Sequence, residues 1–322
     1  MDRDDEDATP DAAAVPGAGV GGKIEAHDEP ELARASPGPT GDSPSEREQQ
    51  IAEHLRYREA VHAVEARDAW ARAAPLLRAE WEAHKQRYPD REEQAGTTLP
   101  DGGWAGDGNR RLSPEQNAEA SKCASDLRDE AIQRIGPAMD RIEGADPSRR
   151  LAGREHMLKG EDRLKEKIAD ELSSKPGATV RAALDKVADG VRFTLEYPVE
   201  RYAEGVLADV ERMKAEGFQL IKLKNLWHAD QYKGVNSQWR APETGTRCEM
   251  QFHTAEGLEA KELTHEAYER IRTAATLTEG QRDADEERAL KDFQRRANAL
   301  LRTPPGTAAI SDFPRTKEQS GG

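Results

Sequence analysis

Aromatic residues make up only 5% of these 322 residues, hydrophobic residues of all kinds only 35%, and mean hydropathy is −0.92. A chain of this length packed throughout would carry more, so a sizeable part of it is expected outside any core. Cysteine is nearly absent. Cys123 and Cys248 give no disulfide framework, and both fall at apolar positions, one on a helical stripe and one on a strand, which fits a reducing compartment. No run of about eighteen apolar residues occurs to cross a bilayer as a helix, and Met1-Asp2-Arg3-Asp4-Asp5 has the wrong sign for a secretory signal. The expectation is a cytoplasmic protein with no membrane partner. Positive charge is short as well: 48 Lys and Arg stand against 62 Asp and Glu, a net charge of −14. That argues against broad adhesion to nucleic acid or anionic lipid and leaves room only for a local basic cleft. The sequence also lacks a C-x-x-C zinc pattern, a serine nucleophile elbow and any internal repeat.

What is present falls into six stretches. Residues 1–46 are Ala, Pro, Gly and acid, too poor in large apolar side chains to offset the entropy of ordering, and read as a disordered arm. Residues 47–95 read as a helical extension in which Leu55, Val61, Val64, Trp70, Leu76, Leu77 and Trp81 keep rough helical spacing; its polar surplus predicts a helix or hairpin lying on something else. Residues 96–111, with Leu99-Pro100-Asp101-Gly102-Gly103, read as a linker. A domain spans 112–276, then come a C-terminal helix over 277–302 and a disordered tail over 303–322.

The domain opens with Ser113-Pro114-Glu115-Gln116, in which serine caps, proline suits the first helical position and glutamine completes a capping box. Cys123, Leu127, Ile132, Ile135 and Met139 continue one stripe, and a second helix from about Pro147 is expected to carry Leu151, Leu158, Leu164, Ile168 and Leu172. The period then changes from 3.6 to 2. Val191, Phe193 and Leu195 alternate with Arg192, Thr194 and Glu196; a helix from Pro198 ends at Gly217; Phe218 to Leu226 is again rich in β-formers. Gln231 to Ala241 and Thr246 to Thr254 form a hairpin about Pro242-Glu243-Thr244-Gly245, with Cys248, Met250 and Phe252 on one face and Glu249, Gln251 and His253 on the other. The pattern predicts an α+β fold: a mixed β-sheet with flanking helices, one face buried and one polar.

Three ordered segments converge on that polar face: Asp189-Gly190-Val191-Arg192, Tyr232-Lys233-Gly234-Val235-Asn236 and Glu249-Met250-Gln251-Phe252-His253-Thr254, succeeded by a helix with His265 and Tyr268. Two acids, an arginine and an aromatic ring in one cleft suit a nucleotide with a divalent metal. In order and spacing these segments resemble the synthetase domain of the RelA/SpoT alarmone synthetases, over about 112–273. The resemblance implies an ATP-dependent pyrophosphokinase that moves the β,γ-pyrophosphate of ATP onto the 3′-hydroxyl of a purine nucleotide, with Mg²⁺ as cofactor and a nucleotidyltransferase-like fold.

The resemblance also assigns roles. Asp189 and Glu249 would hold the metal, and Glu249 would accept the proton of the attacking hydroxyl. Arg192 would stack on the donor adenine, with Arg154 as a second arginine, and Lys159, Arg163 and Lys167, at helical spacing, would meet the ATP phosphates. Tyr232 would stack on the acceptor base, with Asn236, Gln251, His253, Lys222 and Lys224 as further acceptor contacts. The sequence departs from the family where Asp189 directly precedes Gly190, where Asn236 replaces a histidine and where His253 replaces an arginine. Bland readings stand beside these: a turn residue for Asp189, a solvated strand face for Glu249 and Arg192, a solvated helix face for the basic trio, and a helix clamp for His265 and Tyr268.

The residues leave three functions open. One is alarmone synthesis; the second is a toxin-like enzyme acting on the adenylate pool or on tRNA, with a neutralising partner protein; the third is a catalytically degenerate nucleotide-binding or interaction module. Two motifs in the arm are set aside. Gly17 to Lys23 has phosphate-loop spacing, but Ile24 stands where a metal-binding Ser or Thr belongs, and His27-Asp28 lacks the other ligands of a metal-dependent hydrolase.

Overall fold

The computed structural model describes residues 46–89, 96–274 and 282–314, so the expected disordered arm through residue 45 and both of its set-aside motifs lie outside the described residues, as does the tail from 315. The chain divides after Gln50, and the unit from Ile51 onward contains both sheets and the polar face on which the candidate residues stand.

The local signals after the linker are realised closely. Helix α2 (Pro114–Glu130) starts as written: Ser113 Oγ accepts from the Gln116 N–H at 3.2 Å, and Gln116 Oε1 accepts from the Ser113 N–H at 2.9 Å. It runs through a π-turn, Ala131–Ile135, into α3 (Gly136–Gly144). That turn shifts the stripe, so Ala131 and Ile135 join Cys123, Leu127 and Met139 in the core while Ile132 is turned out to solvent.

Five strands build the main sheet: β4 (Arg150–Ala152), β5 (Arg192–Tyr197), β6 (Gln219–Asn225), β7 (Val235–Arg240) and β8 (Arg247–Thr254). Their order is β4-β5-β8-β7-β6, with β5 and β8 parallel and every other pair antiparallel, so the sheet is mixed as expected. Helix α6 (Tyr202–Ala215) makes the connection from β5 to β6 and ends at Gly217, whose φ of +87° suits glycine. One face of the sheet packs Phe193, Leu195, Leu223, Val235, Trp239, Cys248, Met250 and Phe252 into the core.

Four expectations are corrected. The helix predicted from Pro147 begins at Glu161 (α4, Glu161–Ser174); residues 150–156 instead form edge strand β4 and a 3₁₀ turn hinged at Gly153, whose φ is +61°. Pairing with β5 outweighs a helical pattern that is only local. The predicted linker folds as a small antiparallel sheet, β1 (Thr97–Thr98), β2 (Trp104–Ala105) and β3 (Arg111–Leu112), because Trp104 is buried and its Nε1–H donates to Asp162 Oδ1 at 3.1 Å. The expected disordered tail is ordered through residue 314: Ile310 is buried, and Leu223 and Phe313 exchange backbone hydrogen bonds of 2.8 and 2.9 Å on the outer edge of β6. In α1 (Glu46–Arg87), Trp70, Leu77 and Trp81 are buried, whereas Val64 and Leu76 are exposed; the side chains of Leu55 and Val61 lie outside the described residues.

The apolar stripe of α1 does lie on something else. Trp70, Ala74, Leu77 and Trp81 form a second cluster with Ala260 and Ala267 of α7 (Ala255–Ala274) and with Leu290, Phe293 and Ala297 of α8 (Ala284–Ala299). Two indoles fix the contact through their polar edges, Trp70 to Glu259 at 2.7 Å and Trp81 to Glu266 at 3.0 Å. Short helix α5 (Val180–Leu184), capped by Thr179, completes the described helices between α4 and β5.

Candidate active site

Period-2 alternation sends the side chains opposite the core to a polar face, and strand register arranges them in rows. One row runs Arg192, Glu249, Gln238 and Lys222 across β5, β8, β7 and β6. The next runs Ala152, Thr194, Gln251, Asn236 and Lys224, and a third Arg150, Glu196 and His253. Neighbouring strands are about 4.8 Å apart, so Arg192 and Lys222 are separated by about 14 Å, the span of a nucleotide with its phosphates. The irregularity between Leu220 and Lys222 keeps both lysines of β6 on this face.

Asp189 stands just before β5, on a turn tied down by two backbone hydrogen bonds, Lys159 N to Gly190 O at 3.0 Å and Arg192 N to Met157 O at 2.8 Å. Its carboxylate meets Lys159 Nζ at 3.1 Å and Lys167 Nζ at 3.7 Å. Burial opposes its ionisation, but the two lysines outweigh that and hold the carboxyl below its ordinary range. Glu249 behaves oppositely. Burial raises its carboxyl, the Gln251 amide (Nε2 to Oε1, 3.1 Å) and Arg192 pull it back, and the charge of Asp189 raises it further. The carboxylates therefore share one electrostatic neighbourhood despite the direct Asp189-Gly190 junction, with their protonation preferences pushed apart. Arg192 makes no hydrogen bond or ion pair through its guanidinium among the described residues.

The donor set suits a hard cation. Among the described residues no group of three or more His, Cys, Asp and Glu gathers as a metal site, but Mg²⁺ ordinarily takes one or two carboxylates and completes its shell with phosphate and water. Asp189 and Glu249 would supply that pair, and beside Glu249 the Gln251 Oε1 is a buried oxygen without a hydrogen-bond partner among the described residues.

Tyr232 leads into β7. Its hydroxyl donates to Asn236 Oδ1 at 2.6 Å and lies 2.7 Å from His253 Nε2, and the Tyr232 and His253 rings meet edge to face at 5.3 Å. Burial, with Glu249 next, holds the phenol well above its ordinary pKa. The expectation for His253 is corrected here: it is fully buried under the start of α7, and burial, then Lys261, drives its pKa down to about 3. A neutral, enclosed imidazole offers no charge to a phosphate. It props up Tyr232 instead.

The remaining expected residues are dispersed. Arg154 pairs with Asp140 of α3 at 2.5 Å, and Arg163 pairs with Glu166 of its own helix at 3.0 Å, whereas Asp189 pairs with Lys159 and Lys167. Lys224 is held by Asp312 of the C-terminal segment at 2.6 Å, whereas Lys222 is exposed. His265 and Tyr268 are exposed, so the clamp expected of them falls to the buried Gly257, Ala260, Thr264 and Ala267.

One residue of the cleft has no assignment from the sequence. Lys261 lies in electrostatic reach of Arg192 and Glu249, and burial, then Arg192, lowers its pKa to about 8. Its signal is the helical stripe Gly257, Lys261, His265, Tyr268, of which only the last two carry an expectation.

No protein-family model and no curated protein matches this sequence. Among solved structures the chain is similar to a GTP pyrophosphokinase family protein from Streptococcus pneumoniae, with 12% identity over 59% of this chain and 90% of that one and a TM-score of 0.38. It is similar to the small alarmone synthetase 1 from Bacillus subtilis, with 13% identity over 57% of this chain and 92% of that one and a TM-score of 0.39. The same synthetase bound to its product pppGpp matches at 13% identity over 61% of this chain and 95% of that one, with a TM-score of 0.37.

Proposed function

We propose that this chain is an ATP-dependent nucleotide 3′-pyrophosphokinase, moving the β,γ-pyrophosphate of ATP to the 3′-hydroxyl of a purine nucleotide. The observation that carries the reading is the register of β5 against β8, which sets Arg192 beside Glu249 with Asp189, Lys159 and Lys167 at the same end of the sheet. Arg192, unpaired and planar, stacks on the donor adenine. Lys159 and Lys167 neutralise the donor phosphates, releasing Asp189 as they do so. Glu249, its carboxyl raised by burial, accepts the proton of the 3′-hydroxyl as that oxygen attacks the β-phosphorus of ATP; the bond from β-phosphorus to the α-bridging oxygen breaks, and AMP leaves. Tyr232 presents its ring to the acceptor base while its hydroxyl stays in the sheet. Asp189 and Glu249, with the Gln251 amide oxygen near Glu249, would hold Mg²⁺, which would supply charge neutralisation at the phosphates.

The test is product analysis. Purified protein and its Glu249→Gln variant are incubated with ATP, Mg²⁺ and, separately, GDP, GTP, AMP, ADP or deacylated tRNA, and the products are resolved by anion exchange and mass. AMP release matched by a pyrophosphorylated acceptor, absent in the variant, supports the reading and identifies the acceptor, including the toxin-like choice of tRNA or adenylates. Folded protein that turns over none of these leaves the degenerate binding module as the better reading.

A further inference from the structure

Helix α7 continues from β8 without a loop and turns back along it. Gly257 is stacked on His253, where an added Cβ would stand 3.6 Å from Nδ1, and the Gly257 N–H donates to Thr254 Oγ1 at 3.1 Å. From Gly257 to His265 the helix rises about 12 Å at 1.5 Å per residue. From His253 back to Glu249 the strand covers about 13 Å at 3.3 Å per residue. His265 is thereby level with Glu249 and Arg192, and Lys261, one turn nearer the start, is level with Gln251. The electrostatic neighbours agree with that placement: His265 feels Arg192, Lys261 and Lys159, while Lys261 feels Arg192 and Glu249.

Two stripes divide the work of α7. Ala260 and Ala267, with Leu263 and Ile271, face α1 and α8, whereas Gly257 meets His253, and Lys261 and His265 on the same stripe both lie in electrostatic reach of Arg192. Lys261 forms no ion pair or hydrogen bond among the described residues, although Glu249 is close enough to influence it. Four cations, Lys159, Lys167, Arg192 and Lys261, thus gather about Asp189 and Glu249, with Glu262 also within reach of Lys261, a local positive excess on a chain whose net charge is −14. A half-buried ammonium beside a guanidinium, influenced by Glu249 and Glu262 but ion-paired with neither, is a costly arrangement for the empty cleft. A polyanion entering there relieves it, and lysine serves as a point charge for phosphate.

We propose that Lys261 is a phosphate-contacting residue of this site, reaching from α7 to the β,γ-phosphates of a nucleoside triphosphate, the group that is transferred. The proposal rests on the pyrophosphokinase reading and adds to it a substrate contact from the covering helix. Because the contact is to the β,γ-phosphates, it separates ATP from AMP.

Isothermal titration of the full-length protein with ATP and with AMP, both in Mg²⁺, tests it. Lys261→Met keeps the apolar stem and removes the charge; affinity for ATP should fall about 10- to 100-fold, as expected for a lost charge-assisted contact, while affinity for AMP changes less than about twofold. Lys261→Arg should stay close to wild type for both. Should the methionine variant prove poorly folded, Lys261→Gln gives the same comparison. An unchanged ATP affinity, or an equal loss for ATP and AMP, overturns the assignment of Lys261 and leaves the site reading standing. A wild-type protein that binds no ATP overturns the pyrophosphokinase reading itself, and this contact with it.

Discussion

Replacing Tyr232 separates two roles that one side chain combines. Its hydroxyl joins Asn236 Oδ1 at 2.6 Å and His253 Nε2 at 2.7 Å, and both partners are anchored in the sheet, Asn236 in β7 and His253 in β8. Tyr232→Phe keeps the ring and deletes the hydroxyl, stranding a fully buried imidazole nitrogen and an amide oxygen; leaving buried polar groups unsatisfied costs about 1–3 kcal/mol. In a domain of this size that lowers the melting temperature by about 2–12 °C. The ring, however, remains to stack on a purine, so the acceptor KM should stay within about twofold. Tyr232→Ala removes the ring as well, forfeiting about 1–3 kcal/mol of base stacking, which is a rise of about 5- to 150-fold in acceptor KM at about 1.4 kcal/mol per decade. The ATP KM should stay unchanged in both variants. Steady-state kinetics over a range of acceptor concentrations, with a thermal melt of each variant, reads all of this. If the phenylalanine variant loses the acceptor as completely as the alanine variant, the hydroxyl rather than the ring is the ligand contact, and the role given to His253 as a prop is wrong.

Glu249→Gln should abolish product formation and, unlike most buried substitutions, stabilise the protein at neutral pH. The carboxyl is raised in the folded state, so the stability of the wild type is greatest below the unfolded-state value and declines as pH rises through the folded one; the difference in melting temperature between variant and wild type should grow from pH 4 to pH 8, and a flat difference would refute the cause assigned to the shift. Asp209→Asn is expected to be the most damaging single change outside the site. The buried Asp209 carboxylate accepts from Arg149, from the Tyr197 hydroxyl at 2.6 Å and from Arg212 at 2.7 Å, and an uncompensated guanidinium costs about 3–5 kcal/mol, readable as a lowered denaturant midpoint. Asp312→Asn should free Lys224 and strengthen the binding of a nucleoside diphosphate acceptor severalfold in direct titration; unchanged affinity would remove Lys224 from the acceptor side. The Asp312 carboxyl is depressed through Lys224 and the Asn225 N–H despite its burial, so its contribution to stability is present above the unfolded-state value and is lost as pH falls through the folded one.

Features that depend on neighbours within a turn or two could be read directly from the order of residues. The capping box at Ser113, the glycine stop at Gly217, the hairpin about Pro242 to Gly245 and the alternation that parts Glu249, Gln251 and His253 from Cys248, Met250 and Phe252 all came through, because caps and side-chain periods are properties of a few consecutive residues. From these the α+β class and the convergence of Asp189, Arg192 and Glu249 were legible. Tertiary structure alone decided the rest. Residues 150–152 became a strand because β5 offered a free edge, and the Gly-rich stretch around Trp104 folded because that indole found Asp162, 58 residues away. The segment to residue 314 ordered because β6 still had an unpaired edge for Phe313. The same long-range packing decided charge. Nothing in the letters around His253 or Lys261 says that one is buried beneath α7 as a neutral prop while the other remains an unpaired cation in the cleft, since the free energy of a charge depends on what surrounds it in space and not on what precedes it in the chain.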